Sequence, residues 1–256
     1  MNKPQLAVAS LILLSLAAFA CSDVSGSSTS VLSIQFDSLA APSVVVGDTL
    51  RDTTGTVIVP VVHAFNFKGE EITSVPVRFQ SPDSGVVVDS ITGIIVGDSL
   101  RSTPVRIVAT VGTLQAIQRV ELTLRPDLVA AANGLDTLSY SLLDTTLNVS
   151  PELTIKLTHG VAPDDSVVKS YIVSFAIVSQ SNPGLAELAN KAGGKPSIVD
   201  TTDTNGVAGR AIRLHPVFLN SGTTVDSIIV NATARYRGIP VSGSPVRLVL
   251  RVKPRS

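Results

Sequence analysis

The stretch DSIIVNATARYRG (residues 226–238) alternates with a period of two. Ile228, Val230, Ala232, Ala234 and Tyr236 share one side, and Ile229, Asn231, Thr233, Arg235 and Arg237 share the other. Successive side chains of a strand point to opposite faces, so the pattern turns an apolar row inward and an amide, a hydroxyl and two cations outward. GIPVSG then turns the chain back into SPVRLVLRV, as the next strand of an antiparallel sheet.

The same alternation recurs along the chain. TVIVPVVHAF (56–65) sets Val57, Val59, Val61 and His63 against Ile58, Pro60, Val62 and Ala64. GVVVDS and IIVGDSL flank a small Thr-Gly turn. PVRIVATVGTLQAIQRVELTL (104–124) sets Val105, Ile107, Ala109 and Val111 against Arg106, Val108 and Thr110. Farther on, Leu153, Ile155 and Leu157 alternate with Thr154, Lys156 and Thr158, and Tyr171, Val173, Phe175 and Ile177 share a face. Trp is absent, aromatics are 4%, and β-branched residues, Gly and Pro abound, a mixture that suits many short strands and few helices. Pro60, Pro76 and Pro104 lack ladder donors and belong at strand starts, edges or bulges. Pro-Val-Arg recurs at Pro76, Pro104 and Pro245, each time with Pro opening a strand, Val inward and Arg outward.

The expected fold is all-β: two β-sandwiches in tandem. PDLVAAANGLDTLSY interrupts the alternation and reads as a linker over 126–140, with a brief helical turn ended by Asn133-Gly134. Residues 185–192 read as an extended loop between strands, too short and Gly-bounded for a helix. The block around 151–252 resembles a bacterial Ig-like domain of the invasin/intimin type. The likeness lies in Thr202-Asp203-Thr204-Asn205-Gly206-Val207-Ala208 and in Ile229-Val230-Asn231-Ala232-Thr233-Ala234. The block 43–124 looks like a related module, through GDTL, VPVRFQSPDSGVVVDSITGIIVG and VRIVATVG. The resemblance implies immunoglobulin-like sandwiches used as a spacer or adhesive stalk, without catalysis. It divides the chain into a module at 42–125, the linker, and an invasin-type module at 141–256.

Residues 6–20 are apolar, uncharged and preceded by Lys3, which reads as a signal peptide over 1–20 rather than an uncleaved anchor. Ala18-Phe19-Ala20-Cys21 resembles the lipobox of bacterial lipoproteins, with Ala18 where that family usually has Leu and bulky Phe19 where it has a small residue. The resemblance implies lipidation of Cys21 and membrane attachment by acyl chains alone. Ser22 after the cysteine favours the outer membrane by the same likeness. Ordinary cleavage after Ala20 would instead leave a free thiol. Ser, Gly, Asp and Thr after Cys21 suit a flexible tether, placed at 21–41. Cys21 is the only cysteine, so no intramolecular disulfide forms.

Lys+Arg and Asp+Glu are both 20, which gives no electrostatic case for nucleic acid. His63, His159 and His215 are isolated rather than spaced as a zinc set. No G-x-S-x-G elbow or phosphate loop is present. Asp200-Thr-Thr-Asp203-Thr-Asn205-Gly206 holds half the oxygens of a calcium loop but lacks its Glu, and reads as a turn; Asp164-Asp165 reads likewise. The sequons at Asn148 and Asn231 are composition. The expectation is therefore a non-enzymatic envelope protein with no catalytic, cofactor or metal residues, whose partners are the membrane and a surface protein or glycan. The alternative is a carbohydrate- or peptide-binding module, which clustered outward aromatics would favour; Tyr171, Phe175 and Tyr236 alternate with core positions instead.

Overall fold

The computed structural model describes residues 29–144, 146, 148–192, 194–215 and 226–255. The first half of the chain contributes β1 (Ser33–Phe36), β2 (Ser43–Val45), β3 (Val62–Phe65), β4 (Arg78–Gln80), β5 (Val86–Val88), β6 (Ile95–Gly97), β7 (Val105–Val111) and β8 (Leu114–Thr123). The second half contributes β9 (Leu128–Asn133), β10 (Leu135–Tyr140), β11 (Leu153–His159), β12 (Ser166–Val167), β13 (Ile172–Ser179), β14 (Ala186–Ala189) and β15 (Val199–Thr201). It closes with β16 (Val207–Leu214), β17 (Asp226–Thr233), β18 (Arg235–Tyr236), β19 (Ile239–Pro240) and β20 (Val246–Pro254).

DSIIVNATARYRG forms β17 and β18. Ile228, Val230, Ala232 and Ala234 are buried, while Arg235 and Arg237 are exposed and Ile229 and Asn231 half-buried. β17 lies between β20 and β13, antiparallel to both, in a sheet of order β10-β20-β17-β13-β15. A second sheet, β12-β11-β16-β14 with β9 alongside β11, supplies the facing layer. Between them lie Ile155, Leu157, Val173, Ile212, Leu248 and Leu250, all fully buried.

The first half repeats part of this plan, with the pairs β1-β3 and β5-β6 beside its main sheet. Its main sheet has the order β2-β8-β7-β4. In both halves the last strand pairs antiparallel with its predecessor and parallel with an early strand: β8 with β7 and β2, β20 with β17 and β10. In both, the segment just before that early strand pairs antiparallel in a different sheet, β1 with β3 and β9 with β11. Two packed sheets, one of them built on a run of antiparallel neighbours like G-F-C, resemble an immunoglobulin-like sandwich. The first half keeps its own core, built on Val44, Leu50, Ile95, Val105, Ile107 and Val120.

Three expectations need correction. The supposed linker at 126–140 is the leading strand of the second half: β9 pairs with β11, the chain crosses at Gly134, and β10 pairs with β20. Asn133-Gly134 ends no helix; it marks the change of sheet, where a Cβ on Gly134 would lie 3.0 Å from Ala131 Cβ. The expected tether at 21–41 contains β1, which pairs with β3 from Ser33↔Phe65 to Phe36↔Val62. Within the expected loop at 185–192, residues 186–189 form β14, in register with β16. Each segment is short, and two are rich in Ala or Ser, so packing rather than propensity decided its conformation.

The Pro-Val-Arg grammar holds at Pro104 and Pro245 and in part at Pro76, where β4 begins only at Arg78. Pro76, Pro104 and Pro245 precede β4, β7 and β20; Val105 and Val246 are buried, Val77 half-buried, and Arg78, Arg106 and Arg247 exposed. Arg106 also grips Asp83 through two bonds, 3.0 Å from Nε and 2.9 Å from Nη2.

Candidate functional site

The two halves meet in a compact polar contact. After β2 the chain turns at Gly47-Asp48, and the Asp48 side chain is only 3% exposed. Its Oδ1 accepts from the Thr49 amide (2.8 Å) and Arg51 Nε (3.2 Å). Its Oδ2 accepts from Arg237 Nε (2.8 Å), which reaches across from the second half. Burial pushes the Asp48 carboxyl up, but Arg237, the Thr49 amide and Arg51 outweigh it and leave the pKa lowered to about 2.

Local backbone aims Arg237. It sits with Gly238 in the two-residue turn between β18 and β19, and both have positive φ, 51° and 80°. That is the geometry of a type I′ hairpin, where Asn-Gly is the commoner choice. A left-handed arginine costs about 1 kcal/mol, and the ion pair with a buried carboxylate offsets it. The Thr54-Gly55 turn of the first half lies directly on this hairpin. A Cβ on Gly238 would meet the Thr54 carbonyl oxygen at 2.6 Å, and one on Gly55 would collide with the Gly238 amide nitrogen. Asp52 shapes that turn by accepting from the Thr54 and Thr56 amides, each at 2.9 Å. Two hydroxyl bonds complete the contact: Thr123 donates to the Lys169 carbonyl and Ser43 to the Ser170 carbonyl, both at 2.6 Å.

Between these groups a cavity of about 20 Å³ is bordered by Ser43, Asp48, Arg51, Tyr171, Tyr236 and Arg237. It has room for about one water and for no ligand. The Tyr171 hydroxyl donates to the Arg235 carbonyl at 2.6 Å, and burial raises its pKa. A larger cleft of about 340 Å³ lies elsewhere along the contact, lined by Leu100, Arg101, Leu122, Leu124, Val167 and Lys169 among others.

The residues singled out from sequence are mostly employed in backbone work. Asp203 Oδ1 accepts from the Asn205 (2.8 Å) and Val207 (2.9 Å) amides, and Gly206 turns the chain at φ 73°. Asp200 accepts from the Gly209 amide (2.8 Å) and pairs with Arg210 Nη1 (3.0 Å). Asp164 and Asp165 are exposed. Among the described residues no group of three or more His, Cys, Asp or Glu is placed to hold a metal. Asn148 is fully buried, its side chain accepting from the Ser141 amide (2.7 Å) and donating to the Ser141 carbonyl (2.8 Å). Phe175 is buried, and Tyr171 and Tyr236 are half-buried beside the contact, so they build no outward platform.

The histidines are apart but not idle. His63 faces Glu71 at 2.6 Å and Asp37 at 3.1 Å. His159 Nδ1 lies 2.6 Å from Asp127 and 2.9 Å from the Arg125 carbonyl oxygen. His215 is 3.8 Å from Glu187. Cys21 and the apolar segment before it lie outside the described residues, among which no helix is long and apolar enough to cross a membrane. Sequence reading singled out none of Asp48, Ser43, Thr123 or Arg237 for this contact. Their only signals are an Arg where I′ turns usually carry Asn, and a Gly-Asp turn before a strand.

No protein-family model matches the chain, and no curated protein sequence does. Solved structures do. Domains 5–6 of the S-layer protein SbsC align over 89% of this chain and 99% of that one, with 12% identity and a TM-score of 0.30. The Yersinia pseudotuberculosis adhesin InvE aligns over 88% of this chain and 58% of its own, with 13% identity and a TM-score of 0.33. EC1-2 of human protocadherin-24 aligns over 89% of this chain and all of that one (100%), with 13% identity and a TM-score of 0.28. The all-β architecture rests on the strand pairing itself.

Proposed function

We propose that the chain is a non-enzymatic, lipid-anchored protein of the bacterial cell envelope, with acyl chains on Cys21 holding it at the outer membrane. In this reading residues 1–20 are removed, and two immunoglobulin-like modules in tandem act as a spacer or adhesion stalk toward a protein or glycan partner. The observation that carries the spacer role is the contact between the halves. A spacer must resist bending, and here a buried carboxylate, two hydroxyl bonds and two glycine turns in backbone contact oppose it.

Spin labels at Gln115→Cys and Arg247→Cys, both exposed, in a Cys21→Ser background test it. One narrow distance distribution is expected, broadening with Arg237→Ala; a broad distribution in the parent would remove the spacer role. Labelled palmitate tests the anchor: it should enter the wild type and not Cys21→Ser, and label retained by the variant rejects lipidation at Cys21. The second reading, a peptide- or carbohydrate-binding module, draws on the cleft of about 340 Å³, within the size range of ligand sites.

A further inference from the structure

His63 lies on β3 opposite Gln35 of β1. Its Nδ1 is 2.6 Å from Glu71 Oε1 and its Nε2 is 3.1 Å from Asp37 Oδ2. Asp37 directly follows β1, and Glu71 follows the turn that Asn66 organises by accepting from the Lys68 and Glu70 amides. Both ring nitrogens thus face carboxylates, which when ionised only accept. A neutral imidazole has one N–H and one lone pair, so it can satisfy one of these partners and must oppose the other. The imidazolium satisfies both.

The geometry points to a protonation-dependent latch in which His63, as the cation, ties the first strand to the body of the protein. Glu71 and then Asp37 hold the His63 pKa above its ordinary value. Among the described residues, Asp37 and Glu71 are the charged side chains paired with the ring, while Glu70 is bonded to Asn66 and Lys68 lies over Phe67. Because the folded pKa is raised, the latch contributes fully below the unfolded imidazole value and is lost as pH rises through the folded one. The shorter bond is to Glu71, so deprotonation sacrifices the Asp37 contact. Loosening therefore falls on β1, a four-residue strand in a two-stranded sheet. Elsewhere β1 is held by its ladder with β3 and by Phe36, which packs on the core. If Cys21 carries the anchor, as proposed above, the latch sits where the tether joins the stalk, and opening it lengthens the tether.

The test uses the full chain in detergent. Amide exchange at Ile34, Gln35 and Phe36 is followed from pH 5.5 to 9, normalised to β7 amides, while His63 is titrated by NMR. Relative protection of β1 should fall by up to about fivefold, the range of an exposed ion pair, with its midpoint on the His63 titration and above the ordinary imidazole value. His63→Lys keeps a cation and should hold β1 protection high across the range; His63→Gln should hold it low and flat. Glu71→Gln should move the midpoint down. Unchanged relative protection across the titration, or a pH dependence that survives in His63→Gln, overturns the latch whatever the fate of the anchor. Loss of palmitate labelling alone would remove only the tether consequence.

Discussion

The two halves share a strand order but are stabilised differently. Among the described residues, the second half buries one continuous core running from Val129 to Val252, with β11, β16, β17 and β20 contributing Ile155, Ile212, Ile228 and Leu250 among others. The first half gathers a smaller cluster from Ala41 to Leu122 and leaves Val57, Val59 and Val61 exposed. Polar clips occur in both halves: Asp52, Asp89 and Asn66 organise turns in the first, as Asp203 and Asn148 do in the second, and Asp83 grips Arg106 as Asp200 pairs with Arg210. Topology and stability are thus separable. One sheet order can rest on a broad apolar core or on a narrow one, and the narrow one buries less apolar surface and so contributes less stabilisation.

The contrast is broken most directly by cavities. Ile107→Ala and Leu250→Ala each remove a fully buried side chain and should each cost about 2–5 kcal/mol. Ile107→Ala should lower a first calorimetric transition, whereas Leu250→Ala should lower a later one. A single transition that moves identically in both variants would mean that the halves melt as one unit.

Glycine turns sharpen the comparison. Gly206, in the second half, has φ 73° and a virtual Cβ 2.8 Å from the Leu157 carbonyl; Gly47, in the first, has φ 79° and nothing within 4 Å. Gly206→Val should therefore cost about 2–4 kcal/mol, strain plus overpacking. Gly47→Ala should cost only about 1 kcal/mol. Equal losses in urea melts would refute the role assigned to the Leu157 contact.

Next comes the contact itself. Asp48 has its folded pKa lowered to about 2, so its contribution is present above the unfolded value and lost as pH falls from about 4 toward 2. Asp48→Asn should remove about 1–2 kcal/mol, allowing for a half-exposed Arg237, and flatten that part of the acid stability curve. An unchanged curve in the variant would show that other carboxylates govern it.

The smallest effect is expected at Asp203. Asp203→Ala deletes bonds to two turn amides and should cost about 1 kcal/mol, as for a lost cap. Calcium should not alter the melt of the wild type; an upward shift that vanishes in Asp203→Ala would make this turn a metal site.

Residues 105–111, 153–158, 171–177 and 228–236 were legible because period-two alternation in a half-buried strand is imposed by the pleat and needs no knowledge of the partner. The Asp203 turn was legible because Asp and Gly act on their own backbone. Residues 128–140 were not: Ala favours helix and is depleted in strands, so Ala130, Ala131 and Ala132 pointed away from β9, and Asn-Gly punctuates either element. Nor was β14, whose four residues alternate too briefly to register and are held by pairing with β16.

By itself the sequence determined the all-β class, the inward face of each long strand and the turns between them, since these depend on near neighbours. Tertiary structure decided the rest. It split the leading strand of each half between two sheets, recruited β1 from an apparent tether, and set Arg237 against Asp48 across 189 positions of chain. The physical reason is the range of the interactions. A pleat or an Asp-Gly turn is written within a few residues, whereas the Asp48 carboxylate meets its cation through a contact that joins segments 189 positions apart.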